Sequence, residues 1–341
     1  LSSSNIVLHH IFGNDIIKKN NLLLLSQNII IYSITNCVII ENVYTLERQY
    51  ILSLDEGGIG SIAIHPLRKY IAVGCRGYQP NIYIYEYPSL NLIKILKGGA
   101  ERGYSCLTFN KEGDTLASVA SSPDYMLTLW VWSEERILLH SKAFGQEVYT
   151  VRFSEYNPSS LTTSGTGHIR FWKMASTFTG KKLQGSIGKF GKVELSDISA
   201  FVELPDGKVC SGTESGALLL WEGNFIKCRF VRPGGLLCHI GEITSIELDR
   251  IKGCIVTTGM DGYMKWWDLE IIDTAEVDSD HSMDFVIQPL SEVHLCTSEN
   301  DGIRSILYHS KSMTPELYQY LKKNPISNFN NRSNNNNNKN N

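Results

Sequence analysis

A chain of 341 residues, 42% apolar, 20% charged and 10% aromatic, can fill a large packed core and is neither a wholly disordered polymer nor a collagen-like fibre. With 32 Lys and Arg against 35 Asp and Glu its formal charge is -3, which gives no global attraction to phosphate or to anionic lipid. Nucleic acid and membrane surfaces are therefore disfavoured as partners.

Leu1 stands where a starting Met is usual, and eight of the last eleven residues are Asn, so the chain reads as part of a longer protein. The most apolar window, Leu22 to Ile40, is broken by Ser26, Gln27, Asn28, Ser33, Thr35 and Asn36, a pattern that fits neither a membrane span nor a signal segment. Eight cysteines are spread along the chain without a CxxC pair, which favours small buried thiols over a disulfide framework or a zinc site.

One short pattern then recurs six times: an alternating extended segment ending in an aromatic residue and a polar one. The segments are Ile29–Ser33, Ile82–Glu86, Leu129–Ser133, Ile169–Lys173, Leu218–Glu222 and Met264–Asp268, with terminal aromatics Tyr32, Tyr85, Trp132, Trp172, Trp221 and Trp267. Spacings of 53, 47, 40, 49 and 46 between those aromatics match the roughly 40 to 50 residues of one four-stranded propeller blade. Upstream of most lies a strand ending in small residues and a glycine turn, as in Ala72-Val73-Gly74, Thr163-Ser164-Gly165, Cys210-Ser211-Gly212 and Thr257-Thr258-Gly259. A further strand precedes it, as in Gly60–Ile64, Val148–Phe153 and Ile243–Glu247. The expected fold is all-β, a β-propeller over residues 6–310 with six recognisable blades.

The unit around Trp267 carries the sharpest signature. His239 before Gly241, Thr258 on the middle strand, Asp261-Gly262 at the turn and Trp267-Asp268 at the end resemble the WD40 family, whose blades are tied by a hydrogen-bonded His, Ser/Thr, Asp and Trp tetrad. The resemblance places His239, Thr258, Asp261 and Trp267 in those four positions and gives them a structural role rather than a catalytic one.

The repeat breaks at two places. Met174 to Asp197 is too long for a simple inter-blade turn and reads as a loop on the propeller rim. Phe178, Lys181, Lys182, Lys189, Phe190 and Lys192 make it a candidate partner-binding loop, against the blander reading of a solvated loop. Its Gly185–Val193 run imitates a phosphate loop but has Ser186 in place of a glycine and Val193 in place of the magnesium-binding hydroxyl, so nucleotide binding is rejected. The second break comes after Trp267: an acidic linker, Asp273 to Asp284, leads to Phe285-Val286-Ile287 and then Ile303–Tyr308, expected to open an incomplete seventh unit. Residues 311–341 read as a short helix near Pro315–Lys323 and a disordered Asn-rich tail.

Longer runs carry a closer resemblance. Pro123–Trp130, Gly165–Ala175, Thr177–Gly185 and Leu204–Val209 are similar to the N-terminal propeller of the cilia- and flagella-associated protein 44 family, over about His10 to Tyr308. That resemblance implies a non-catalytic scaffold of the motile cilium or flagellum, without a cofactor. It implies as partners a cilia- and flagella-associated protein 43-like protein, an inner-arm dynein and the doublet microtubule, in a tether between motor heads and microtubule. The alternatives are a generic cytoplasmic WD40 adaptor and a propeller enzyme with a channel-lining site. The sequence offers the enzyme no HExxH, GxSxG or CxxC motif.

Overall fold

Runs such as Ile82-Tyr83-Ile84-Tyr85 and Leu218-Leu219-Leu220-Trp221 combine β-branched, aromatic and leucine side chains with burial on both faces. A strand covered on both sides must lie between two other sheets, and the chain meets that demand by stacking its sheets radially. The computed structural model describes residues 11, 13–15, 18–178, 180–277, 282–296 and 302–304. Among them the strands form six sheets, the blades of a six-bladed β-propeller, spanning residues 22–52, 59–96, 104–142, 148–187, 198–231 and 243–268 before later segments are added. Helix is confined among the described residues to Leu269–Asp273 and the 3-10 turn Trp132–Glu134.

Within each blade the strands keep chain order and pair antiparallel, so every connection is short. First strands of successive blades meet at the axis, where a cavity of about 270 Å³ is lined by Ser61, Ser105, Thr150 and Arg152 among others. In blades two to six the pairing of first and second strands slips by one residue at the same place, leaving Gly60, Ser105, Tyr149, Ser199 and Thr244 as bulged residues. A bulge bends and twists the strand, which suits the crowded inner edge of a blade. Gly60 shows the crowding: a Cβ there would lie 2.2 Å from the Tyr104 carbonyl oxygen of the next blade.

The cores sit between blades. One cluster joins Leu218, Leu220 and Phe230 of blade five to Ile243, Ile255 and Trp267 of blade six, and comparable clusters join blades one and two, two and three, three and four, and four and five. Each blade is thus stable only in company, as in other repeat architectures. Lys19, ahead of blade one, forms an ion pair with Glu242 beside blade six.

The acidic linker leads to two strands that complete existing blades. Asp284–Val286 adds a fifth, parallel strand to blade five, and Ser291–His294 returns as the fourth strand of blade six. Arg229 clamps Asp284 with two hydrogen bonds of 2.7 and 2.8 Å, and Phe285 packs edge-on against Phe230. This excursion stitches blade six to blade five and covers an edge otherwise open to pairing. Ile303 docks on blade six through its N–H to the Gly259 carbonyl; the rest of the expected seventh-unit strand, 305–308, and residues 311–341 lie outside the described residues.

Candidate docking surface

The third strand of each of blades three to six carries a tryptophan whose indole N–H is satisfied in the same way. Trp267 lies directly across from Ile255 and donates to Thr257 Oγ1, two residues further along the facing strand, at 2.8 Å. Trp130 donates to Ser118, Trp172 to Thr163 and Trp221 to Ser211, at 2.8, 2.9 and 2.8 Å, each from the same diagonal position. The two-residue period of a strand dictates the choice, because only alternate residues share the tryptophan's face.

In blade six this bond opens a longer chain. Thr257 donates its hydroxyl to His239 Nε2 at 2.7 Å, and His239 Nδ1–H donates to Asp261 at 2.9 Å. Asp261 also accepts from the backbone N–H groups of Ile240 and Tyr263. With the imidazole neutral, donors and acceptors alternate along the whole chain. Burial, the largest influence, lowers the His239 pKa despite the neighbouring carboxylate, so the contact is a hydrogen bond rather than an ion pair. Asp261 is pulled up by burial but held below the usual carboxylate range by the hydrogen bonds it accepts. Gly216, at φ +100, closes over this frame; a Cβ there would meet the His239 carbonyl oxygen at 2.1 Å.

The frame corrects three expectations. Thr257, not Thr258, joins His239, Asp261 and Trp267; Thr258 faces the other way and meets Thr244 Oγ1 at 3.2 Å. Trp132 is not the blade-end aromatic of blade three. That place belongs to Trp130, while Trp132 sits in the next 3-10 turn and donates to the Gly113 carbonyl at 2.7 Å. Tyr32 lies on the second strand of blade one, where other blades carry the hydroxyl, and donates to Glu41 Oε2 at 2.7 Å, with Glu41 in the tryptophan's place and ion-paired to Arg48. Tyr85 does end its third strand, but Val73 occupies the hydroxyl position, so packing alone holds it. Burial pushes the Tyr85 phenol up to about 12.

Other polar joints carry no sequence signal that reasoning could use. His65 Nε2 donates to the Gly113 carbonyl at 2.9 Å and its Nδ1 accepts from the Leu67 N–H, tying blade two to blade three beside Trp132 and Phe109. Asp55 accepts from Tyr83 OH and the Asn81 N–H, and Asp197 from Tyr149 OH and the Gly167 N–H. These polar groups are engaged in holding the blades together. Among the described residues no group of three or more His, Cys, Asp or Glu is placed to hold a metal.

The expected loop at 174–197 is largely strand. His168–Thr177 pairs with Gly180–Ile187 along its whole return, from Arg170 opposite Ile187 to Thr177 opposite Gly180. Phe178 at the turn is fully exposed, and Lys181 and Lys182 on the outer strand are exposed. Phe190 is instead buried edge-on against Trp221 at 5.2 Å and is unavailable to a partner. Lys189 lies over the Phe225 ring at 4.8 Å, and Lys192 is exposed in the connection to blade five. The candidate residues thus divide between a projecting hairpin and a packed connection.

Residues 56–307, which contain blades two to six, match the family described as Echinoderm microtubule-associated protein first beta-propeller. The chain belongs to that family. Members of the cilia- and flagella-associated protein 44 group resemble it strongly, as the longer sequence runs imply. The Mus musculus protein of that name is 48% identical over 295 residues, covering 86% of this chain and 16% of the relative. Its Chlamydomonas reinhardtii namesake is 53% identical over 247 residues, 70% of this chain and 14% of the relative. The chain therefore spans only a small part of these relatives. A solved structure titled "Structure of U3-55K" superposes with a TM-score of 0.60 over 84% of this chain and 83% of that one; at 16% identity the likeness is one of fold.

Proposed function

We propose that this Echinoderm microtubule-associated protein-type propeller is a non-catalytic docking scaffold in the axoneme of a motile cilium or flagellum. In the finer form of the reading it belongs to the tether that links inner-arm dynein motor heads to the doublet microtubule, beside a cilia- and flagella-associated protein 43-like partner, and is needed for motility. The observation that carries the reading is the extent of identity to proteins named for cilia and flagella, across blades and inter-blade segments together. The polar architecture supports the non-catalytic part. His239 and Asp261, the closest approach to a catalytic pair, spend their hydrogen bonds on Thr257, Ile240 and Tyr263.

Imaging of the tagged full-length protein in ciliated cells, together with the beat of a null mutant, tests the proposal. Signal along the doublets and a defective beat are expected. Signal confined to the cell body, or a null mutant that beats normally, overturns it.

A further inference from the structure

The third strand of blade four outruns its counterparts. In blades five and six that strand closes one residue after its tryptophan, at Glu222 and Asp268, whereas in blade four it continues past Trp172 to Thr177 before the chain returns. At about 3.3 Å per residue the four extra residues, 174–177, span roughly 13 Å. Met174 and Leu183, directly opposite each other, pack back on the core of blades three and four and anchor its base. Beyond them Phe178 stands bare at the turn, and among the described residues Lys173, Lys181 and Lys182 take part in no ion pair.

Two ordinary explanations cover part of this. Lysines on an outermost strand discourage pairing with another chain, which accounts for Lys181 and Lys182. They do not account for Lys173 on the inner strand of the hairpin, nor for a phenylalanine at a turn, where glycine, asparagine, aspartate or serine has a local reason to be. Charge is concentrated here as well. From Lys173 to Lys192 the chain carries five lysines and no acidic residue, within a protein whose net charge is -3.

We propose that the hairpin is a docking arm for an acidic polypeptide segment of a partner protein. Phe178 enters an apolar notch beside that segment, and Lys173, Lys181 and Lys182 face its carboxylates. An exposed aromatic flanked by cations suits such a partner because the ring supplies desolvated contact area while the lysines supply steering and register. The inference rests on the docking-scaffold reading, but not on placement in the cilium.

Fluorescence anisotropy of the full chain with a labelled peptide that alternates glutamate and leucine tests the arm. Lys181→Glu/Lys182→Glu is expected to weaken binding about tenfold or more, and Phe178→Ser by about three- to tenfold. The control Lys69→Glu/Lys97→Glu, exposed lysines in blade two and just after its last strand, should leave affinity unchanged. Equal binding by hairpin variant and wild type overturns the proposal, as does equal weakening by the control. Tighter binding of single-stranded RNA than of the peptide also overturns it. Because the readout is a purified chain and a peptide, its failure leaves the ciliary placement standing, and failure of the imaging experiment leaves the arm standing.

Discussion

The third strands of blades six and four begin alike and end differently. Each brings a fully buried tryptophan opposite an apolar residue and gives its N–H to a threonine two places further along. The residue after the tryptophan then decides what leaves the blade. In blade six Asp268 stops the strand and caps a short helix, its Oδ1 accepting from the N–H groups of Glu270 and Ile271 at 2.9 and 3.1 Å. In blade four Lys173 cannot cap and simply pairs with Gln184, so the strand runs on into the hairpin. The aromatic positions specify the shared frame, and the residues just beyond them specify what distinguishes one blade from the next.

The most severe way to break the shared part is to remove either tryptophan. Trp172→Ala and Trp267→Ala should each cost about 3–5 kcal/mol, because both indoles are buried between blades and the space cannot collapse fully. Denaturant titration of each variant measures the loss; a loss below about 1 kcal/mol, ordinary for a surface change, contradicts the packing described.

A smaller effect sharpens the difference between adjacent threonines of blade six. Thr257→Val strands both the Trp267 N–H and His239 Nε2 and should cost about 1–3 kcal/mol, whereas Thr258→Val loses only its hydroxyl contact with Thr244 Oγ1 and should cost less. Equal losses in the two variants would remove the assignment of Thr257 to the polar chain.

That pair of threonines also shows where sequence reading stops. The blade repeat is legible because aromatic positions recur at a blade's length and alternate strand residues face one way. Thr257 and Thr258 are chemically identical, so only the strand register separates them. Trp130 and Trp132 share a face by the same two-residue period, and the turn that begins at Trp132 decides between them. Tyr32 and Glu41 exchange the usual donor and acceptor strands, an exchange no local pattern announces. The overhang reads as a loop in sequence because lysine and glycine are poor strand formers; pairing across the hairpin overrides that preference. Asp55 and Asp197 act on residues of neighbouring loops that the chain reaches only after folding.

A pH titration probes both regions through their histidines. His239 in blade six, facing Asp261, Lys265 and Arg232, and His168 in blade four, stacked on Phe144 with Arg170 and Asp197 nearby, both have pKa values lowered chiefly by burial, as does His65. Each is therefore neutral in the folded state at pH values where the unfolded chain already binds a proton. Their contribution to stability is present above the ordinary imidazole value of 6.5 and is lost as pH falls below it toward the lower folded values. Urea midpoints should be level between about pH 7 and 8 and decline toward pH 5. A midpoint that rises on acidification would show that these imidazoles are charged in the folded protein.

The smallest expected effect is the most telling for the comparison. Phe178 and Trp172 belong to one hairpin of one blade, yet Phe178 touches the core at no point and Trp172 is buried in it. Phe178→Ser should change unfolding free energy by no more than about 0.5 kcal/mol, the range of surface substitutions away from special features. Measured beside Trp172→Ala under the same denaturant, the two values separate the part of the hairpin that builds the propeller from the part that projects out of it. A Phe178→Ser loss close to that of Trp172→Ala would mean that the turn folds back on the blade, and the projecting arm would no longer exist as a free surface.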